Sequence, residues 1–320
     1  MTMTRELLLL RHGKSDWSTD VDDYHRPLTD RGKRGAQRIG VWLAQQKMVP
    51  DLIVTSPAER ALVTAQKACK AMGNGDTGIR RDRRIYEAGV DDLLAVLGDC
   101  PQDTGRVMLV GHNPGLEKLL VWLARATPVQ DDGKLLPTAT LARLQVPADW
   151  HALVAGCASL VSITRPGTLP KKFPYPAPDG KEQRDRPAYY YSQSSVIPYR
   201  VLDGKLEVLV IASSKKHHLV VPKGIKDPGL SPRESAAKEA LEEAGVEGEV
   251  AEEALGSYTC EKWGATCTVA VYPMKVTRLI PEEKWEENHR GRQWVSPEKA
   301  VRELKQRELA PLVKKLEAMF

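Results

Sequence analysis

Leu7-Leu8-Leu9-Leu10-Arg11-His12-Gly13 decides the first half of the chain. Four leucines in a row are far short of a membrane span but long enough for a strand buried on both faces. The run stops on a cation, an imidazole and a residue without a side chain. In an open parallel sheet, ligands sit at the carboxyl ends of the strands. The spacing therefore predicts a strand over residues 6–10 that delivers Arg11 and His12 to a site. Two further apolar runs end the same way. Residues 51–55 lead into Ser56-Pro57-Ala58-Glu59-Arg60, with Arg60 on the first turn of a helix over 57–72. Residues 106–110 lead into Gly111-His112-Asn113-Pro114-Gly115, ahead of a helix over 116–126. Helical spacing over 30–46 places Ile39, Trp42 and Leu43 on one side, and residues 139–146 and 152–164 read as closing strands. Alternation of this kind predicts an α/β fold with a mostly parallel sheet. Two Arg and two His then meet at one sheet edge, a set suited to a phosphoryl group.

The rest of the chain bounds this reading. With 320 residues, two domains are expected. Hydrophobic residues make up 42% and charged residues 28%, which excludes a disordered or fibrous chain. No apolar run approaches the ~20 residues of a membrane helix, and residues 1–10 lack a signal-peptide pattern, so a cytoplasmic protein without a membrane partner is expected. Five scattered cysteines without a C-x-x-C pair suggest reduced thiols. The net charge of +5 is spread without a basic arm, so no nucleic-acid partner is expected. Six prolines fall within residues 166–190. Helices and strands both reject that density, which sets the expected boundaries: a domain over 1–165, a linker over 166–190 and a domain over 191–320.

The second domain opens with strands over 195–201 and 206–212 around the hairpin signal Asp203-Gly204. A short strand over 219–221 follows. Ser231, Pro232 and Glu234 stand as N-cap, N1 and N3 of a capping box, and Gly245 supplies the helix stop. Glu239, Glu242 and Glu243 lie at i, i+3 and i+4 of that helix, so they share a face. Carboxylates so close repel one another unless a hard divalent cation joins them. A strand pair (254–260, 266–276) and one C-terminal helix over 297–318 complete the pattern.

Four motifs in order, Leu10-Arg11-His12-Gly13-Lys14-Ser15, Arg26-Pro27-Leu28-Thr29-Asp30-Arg31-Gly32, Ser56 through Ala65 and Gly111-His112-Asn113-Pro114-Gly115-Leu116, resemble the histidine phosphatase superfamily, and within it the compact SixA-like phosphohistidine phosphatases. The resemblance covers about residues 5–165. It implies a three-layer α/β/α domain in which His12 is the nucleophile, Arg11, Arg60 and His112 surround the transferred group, and no cofactor takes part. Glu87 stands where the family often places its general acid, with Asp16 a second candidate. The short interval between His12 and Arg60 implies an open site that admits a phosphohistidine protein.

Residues 224–246 resemble the Nudix box, and Gly291-Arg292-Gln293-Trp294-Val295 resembles a late strand of that family. The implied fold is an α/β/α sandwich around a mixed sheet. The implied metal is Mg²⁺, or Mn²⁺, on Glu239, Glu242, Glu243 and the Gly224 carbonyl, with Glu242 or Glu243 handling the attacking water. Glu286 and Glu287 are further candidates. Leu230 and Lys238 depart from the usual Glu and Arg, which implies that the family's internal salt bridge is absent. Ser213-Ser214-Lys215-Lys216-His217-His218, with Lys223 after it, forms a basic cluster (Lys215, Lys216, His218, Lys223) suited to a polyphosphate. It looks like the branch acting on diphosphoinositol polyphosphates and dinucleoside polyphosphates. The expectation is a bifunctional phosphohydrolase whose partners are phosphorylated small molecules. The alternatives are a nucleotide-pool hydrolase for nucleoside triphosphates, oxidised ones included, and a non-catalytic phosphate sensor.

Overall fold

The computed structural model describes residues 4–125, 133–176, 180–213 and 218–320. The chain divides into two compact units, Met1–Phe173 and Pro174–Phe320, and the division falls inside the proline-rich stretch.

In the first unit the elements run β1 (Thr4–Arg11), α1 (Asp30–Gln45), β2 (Leu52–Thr55), α2 (Glu59–Ala71), β3 (Arg80–Arg81), α3 (Val90–Gly98), β4 (Arg106–Gly111), α4 (Gly115–Ala124), β5 (Leu141–Pro147) and β6 (Ser159–Thr164). The sheet order is β3-β2-β4-β1-β5-β6. The strands β3, β2, β4 and β1 pair in parallel, while β5 pairs antiparallel with both β1 and β6. Why β1 is an unbroken leucine run is now plain. Leu7 and Leu9 pack with residues of α3 and α4, while Leu8 and Leu10 pack with residues of α1 and α2. Both faces are covered, so a period of two would expose nothing to water. Replacing one of these leucines by Ala would cost about 2–5 kcal/mol. Residues 152–158 do not form the expected strand. Trp150 is buried and its indole N–H donates to Thr104 O (3.1 Å), which pins a short turn there and delays β6 to Ser159.

Two dipeptide strands, β7 (Phe173–Pro174) and β8 (Gln183–Arg184), come next. The second unit runs β9 (Ser192–Leu202), β10 (Lys205–Ala212), β11 (Leu219–Val220), β12 (Lys223–Ile225), α5 (Pro232–Ala244), β13 (Val246–Val250), β14 (Gly256–Lys262), β15 (Ala265–Leu279), β16 (Arg292–Val295), α6 (Pro297–Glu303) and α7 (Ala310–Glu317). The sheet is mixed: β9 and β15 are parallel and the other pairs antiparallel. Asp203 and Gly204 both have positive φ, the conformation of the expected hairpin turn. Val196, Leu209 and Ile211 pack under α5, and Ile197, Val208 and Val210 under α6 and α7, giving a sandwich. One C-terminal helix was expected, but two are present. The backbone at Leu304 and Lys305 leaves the helix to bond Leu219 on the edge strand β11, burying Leu304, and helix resumes only at Ala310.

Candidate active sites

In the first unit a cleft of about 680 Å³ opens at the carboxyl ends of β1, β2 and β4. Arg11 and His12 reach it from the end of β1, Arg60 from the first turn of α2, and His112 from the residue after β4. The end of β1 fits closely on the start of α1: a Cβ on Gly13 would lie 2.7 Å from the Gly32 carbonyl oxygen. That approach fixes the turn in which the His12 ring sits.

His12 Nδ1 is 2.8 Å from the Gly13 carbonyl oxygen. A carbonyl only accepts, so Nδ1 carries the hydrogen and Nε2 keeps its lone pair. Burial lowers the His12 pKa most. The Gly13 bond opposes this, and Arg60, Arg11 and Arg26 add to it, for a value of about 4. His112 lies with its ring centroid 5.1 Å from that of His12. Its Nε2 is 2.9 Å from Ser56 Oγ, and burial, then His12 and Arg60, lower it to about 3. Both rings are therefore neutral at physiological pH. Arg11 is aimed by a bond from Nη1 to Leu136 O (2.8 Å).

Asp23 and Tyr86, which sequence reasoning passed over, complete the cleft together with Arg26. Asp23 accepts from Arg60 Nη2 (2.7 Å) and from Tyr86 OH (3.0 Å), and it pairs with Arg26. Burial works to raise the Asp23 carboxyl, but Arg26, Tyr86 and Arg60 bring it down to about 2. Arg26 Nη1 donates onward to Ser15 Oγ (2.8 Å). Arg26 lay inside a quoted motif and was legible there. Asp23 and Tyr86 carry no local signal, because only the folded loop brings them to Arg60. Glu87 lines the cleft, with the left-handed backbone φ of 56° and an exposed side chain. Asp16 instead turns onto Ser18, accepting from its N–H (2.9 Å) and hydroxyl (2.7 Å), and is absent from the cleft wall.

In the second unit α5 carries the capping box as read, Ser231 Oγ accepting from Glu234 N–H (3.2 Å), and Gly245 closes it at φ 60°. The three carboxylates diverge. Glu239 packs on β12, where a Cβ at Gly224 would overlap its carboxylate. Glu243 accepts from the Lys223 backbone N–H (2.9 Å) and from Arg290 Nη2 (2.7 Å). Glu242 lies 3.8 Å from Lys238 Nζ. Among the described residues no three acidic, imidazole or thiol groups converge as a ready metal cage. Burial, then Glu243, Glu242 and Asp227, push the Glu239 pKa up to about 8, and Glu243 is raised as well, chiefly by burial. A half-buried carboxylate made this basic by burial and then by neighbouring acids, on a strand cleared of side chain for it, fits a hard divalent cation.

The expected loss of the internal bridge is corrected. Lys238 Nζ donates to Asp227 Oδ2 (2.6 Å), so an acid three residues ahead of Leu230 takes up the contact. Glu287 pairs with Arg290, while Glu286 is exposed. Arg292 donates to the carbonyls of Ala244 (3.2 Å) and Gly245 (2.6 Å), holding the end of α5. Lys223 lines a second, smaller cleft. His218 is exposed and stands outside that wall, and Lys215 and Lys216 lie outside the described residues. Sequence reasoning missed Arg290, which no motif marked.

Residues 192–316 match the family model of the NUDIX domain. Nudix hydrolase 12, mitochondrial, of Arabidopsis thaliana is 32% identical over 143 residues, covering 37% of this chain and 70% of that protein. The chain belongs to the Nudix family. Residues 7–94 match the histidine phosphatase superfamily (branch 1), so the Nudix unit is preceded by a histidine phosphatase domain. On that side, a 2,3-bisphosphoglycerate-dependent phosphoglycerate mutase of Nocardia farcinica is 38% identical over 96 residues, covering 28% of this chain and 38% of that protein. The chain thus spans well under half the length of this mutase. A solved SixA protein histidine phosphatase with tungstate is 19% identical, covering 51% of this chain and 97% of its own, with a TM-score of 0.44. Both domains belong to hydrolase families. No helix among the described residues is long and apolar enough to cross a membrane.

Proposed function

We propose that the protein is a bifunctional phosphohydrolase: a metal-independent phosphatase working through a phosphohistidine, joined to a metal-dependent hydrolase of diphosphate linkages. The observation that carries the first half is the His12 ring, locked by Gly13 with Nε2 free, and set among Arg11, Arg60 and His112. Nε2 attacks phosphorus, an N–P bond forms and the bond to the leaving group breaks. Arg11 and Arg60 balance charge on the phosphoryl oxygens. His112, being neutral, brings a hydrogen bond. Glu87 supplies the proton that the leaving group takes up; for a phosphohistidine substrate that group is an imidazole, which leaves readily. Water then attacks phosphorus and gives a proton back to the Glu87 carboxylate, the N–P bond breaks, and His12 and Glu87 are both regenerated. Substrates of the compact SixA type, a phosphohistidine protein or a small phosphate ester, suit this open cleft.

In the Nudix unit Glu239, Glu242 and Glu243, with the Gly224 carbonyl, would hold Mg²⁺ or Mn²⁺. When bound, the cation polarises a phosphoryl oxygen and favours ionisation of water. Arg290 holds Glu243 in place, and Glu242, the more exposed acid at 39% against 15%, is the one to orient a water molecule. Trapping with a labelled phosphate donor tests the first half: label is expected on the wild type and lost in His12→Ala. EDTA tests the division, since it should abolish diphosphate cleavage and spare phosphatase turnover. Equal loss of both activities would refute it.

A further inference from the structure

Beside Glu243 the Nudix unit holds a cleft of about 280 Å³ whose wall is strongly cationic. Tyr258 and Lys262 stand at i and i+4 of β14, hence on one face of that strand. Lys223 opens β12. Lys305 follows α6, with its backbone N–H donating to Leu219 O (3.0 Å), so its position is built rather than accidental. The charges are unbalanced. Arg290 is taken up by Glu243 and Glu287. By contrast, among the described residues Lys223, Lys262 and Lys305 have no carboxylate within ion-pair distance, although Lys262 Nζ lies 4.3 Å from the centroid of the Trp263 ring. Tyr258 is only 7% exposed and stands in the same wall. Among the described residues Tyr258 is the one aromatic residue of the wall, and its ring packs into the core, so these residues offer no flat face to a base.

We propose that this cleft is a subsite for phosphate groups beyond the cleaved linkage, with Lys262 and Lys305 as its specificity determinants. The inference rests on the Nudix reading above and narrows it. The substrate is a compact molecule with several phosphates, a chain or a phosphorylated ring, whose uncleaved end is itself anionic. A nucleoside whose base would fill the cleft is disfavoured.

Binding without turnover tests the subsite separately from the reaction. Inorganic tripolyphosphate is titrated calorimetrically into the full-length chain in EDTA, in an Arg60→Ala background that weakens anion binding in the phosphatase cleft. One binding event is expected. Lys262→Ala and Lys305→Ala should each weaken it roughly tenfold, and together roughly a hundredfold, as loss of charge-assisted bonds does. Lys262→Arg with Lys305→Arg should restore most of it, which separates lost charge from a disturbed fold. Inositol hexakisphosphate in a parallel titration distinguishes ring from chain. Unchanged binding in the double alanine variant, or displacement of tripolyphosphate by adenosine, would overturn the proposal. Failure of EDTA to stop diphosphate cleavage would instead overturn the metal-dependent reading and leave the binding result standing.

Discussion

Acidification should unsettle the phosphatase unit through two rings. His12 and His112 titrate at about 4 and about 3 in the fold, against 6.5 for a free ring. Folding therefore keeps both neutral, and the unfolded chain binds more protons below pH 6.5. Stability from this source is complete above pH 6.5 and is lost as the pH falls toward 4 and 3. Between pH 7 and pH 5 the unfolded state gains about 0.7 of a proton per ring while the native state gains almost none. Linkage puts the loss at about 2 kcal/mol per ring, or about 4 kcal/mol for the pair. Carboxylates contribute too, so the comparison is internal: His12→Gln with His112→Gln should flatten the pH dependence by about that amount. Direct evidence comes from ¹H–¹³C NMR of the imidazole Cε1–H groups. Two resonances are expected to stay at neutral-ring positions down to pH 5. If both titrated with midpoints near 6.5, the argument from burial and three nearby guanidinium groups would be wrong, and so would the neutral nucleophile.

Other outcomes follow from single contacts. Arg60→Ala should reduce phosphatase kcat/KM by roughly a hundredfold to a thousandfold, as loss of an oxyanion-type donor does, and steady-state kinetics on a phosphate monoester will register it. Glu239→Gln or Glu243→Gln should lower diphosphate hydrolysis by at least roughly a hundredfold with phosphatase turnover intact. Gly224→Ala should do the same, because its Cβ overlaps the Glu239 carboxylate; a Mn²⁺ titration followed by electron spin resonance would show weakened binding. Asp227→Ala removes the partner of a partly exposed lysine, so the melting transition of the Nudix unit should move by only about 0.5 kcal/mol.

Much of this molecule was legible in its sequence because the deciding patterns are local. The Leu7–Leu10 run, the Ser231 capping box and the Asp203-Gly204 turn each specify their own backbone. Arg11, His12 and His112 were readable because each stands at the end of an apolar strand. What escaped depends on distant partners. Asp23 and Tyr86 acquire meaning only where the loop crosses Arg60, and Arg290 only where it meets Glu243. The break at Leu304 escaped for the same reason: helical spacing continues through it, and the competing bond comes from Leu219, far away in sequence. The three carboxylates were rightly put on one helix, but spacing gave no warning that Arg290 and Lys238 would draw two of them apart.

The Asp227–Lys238 pair bears on how such chains are compared. A column-by-column reading scores Leu230 as a loss, yet the contact persists because a lysine stem is long and flexible enough to meet an acid one turn of loop away. What the fold keeps here is a short distance between charges, whichever position supplies the acid. A degenerate motif can therefore hide an intact fold, and two apparent defects, a missing acid and a swapped base, can be one compensated move. Deciding between decay and relocation requires looking for the displaced partner within reach of the orphaned charge before the site is struck off.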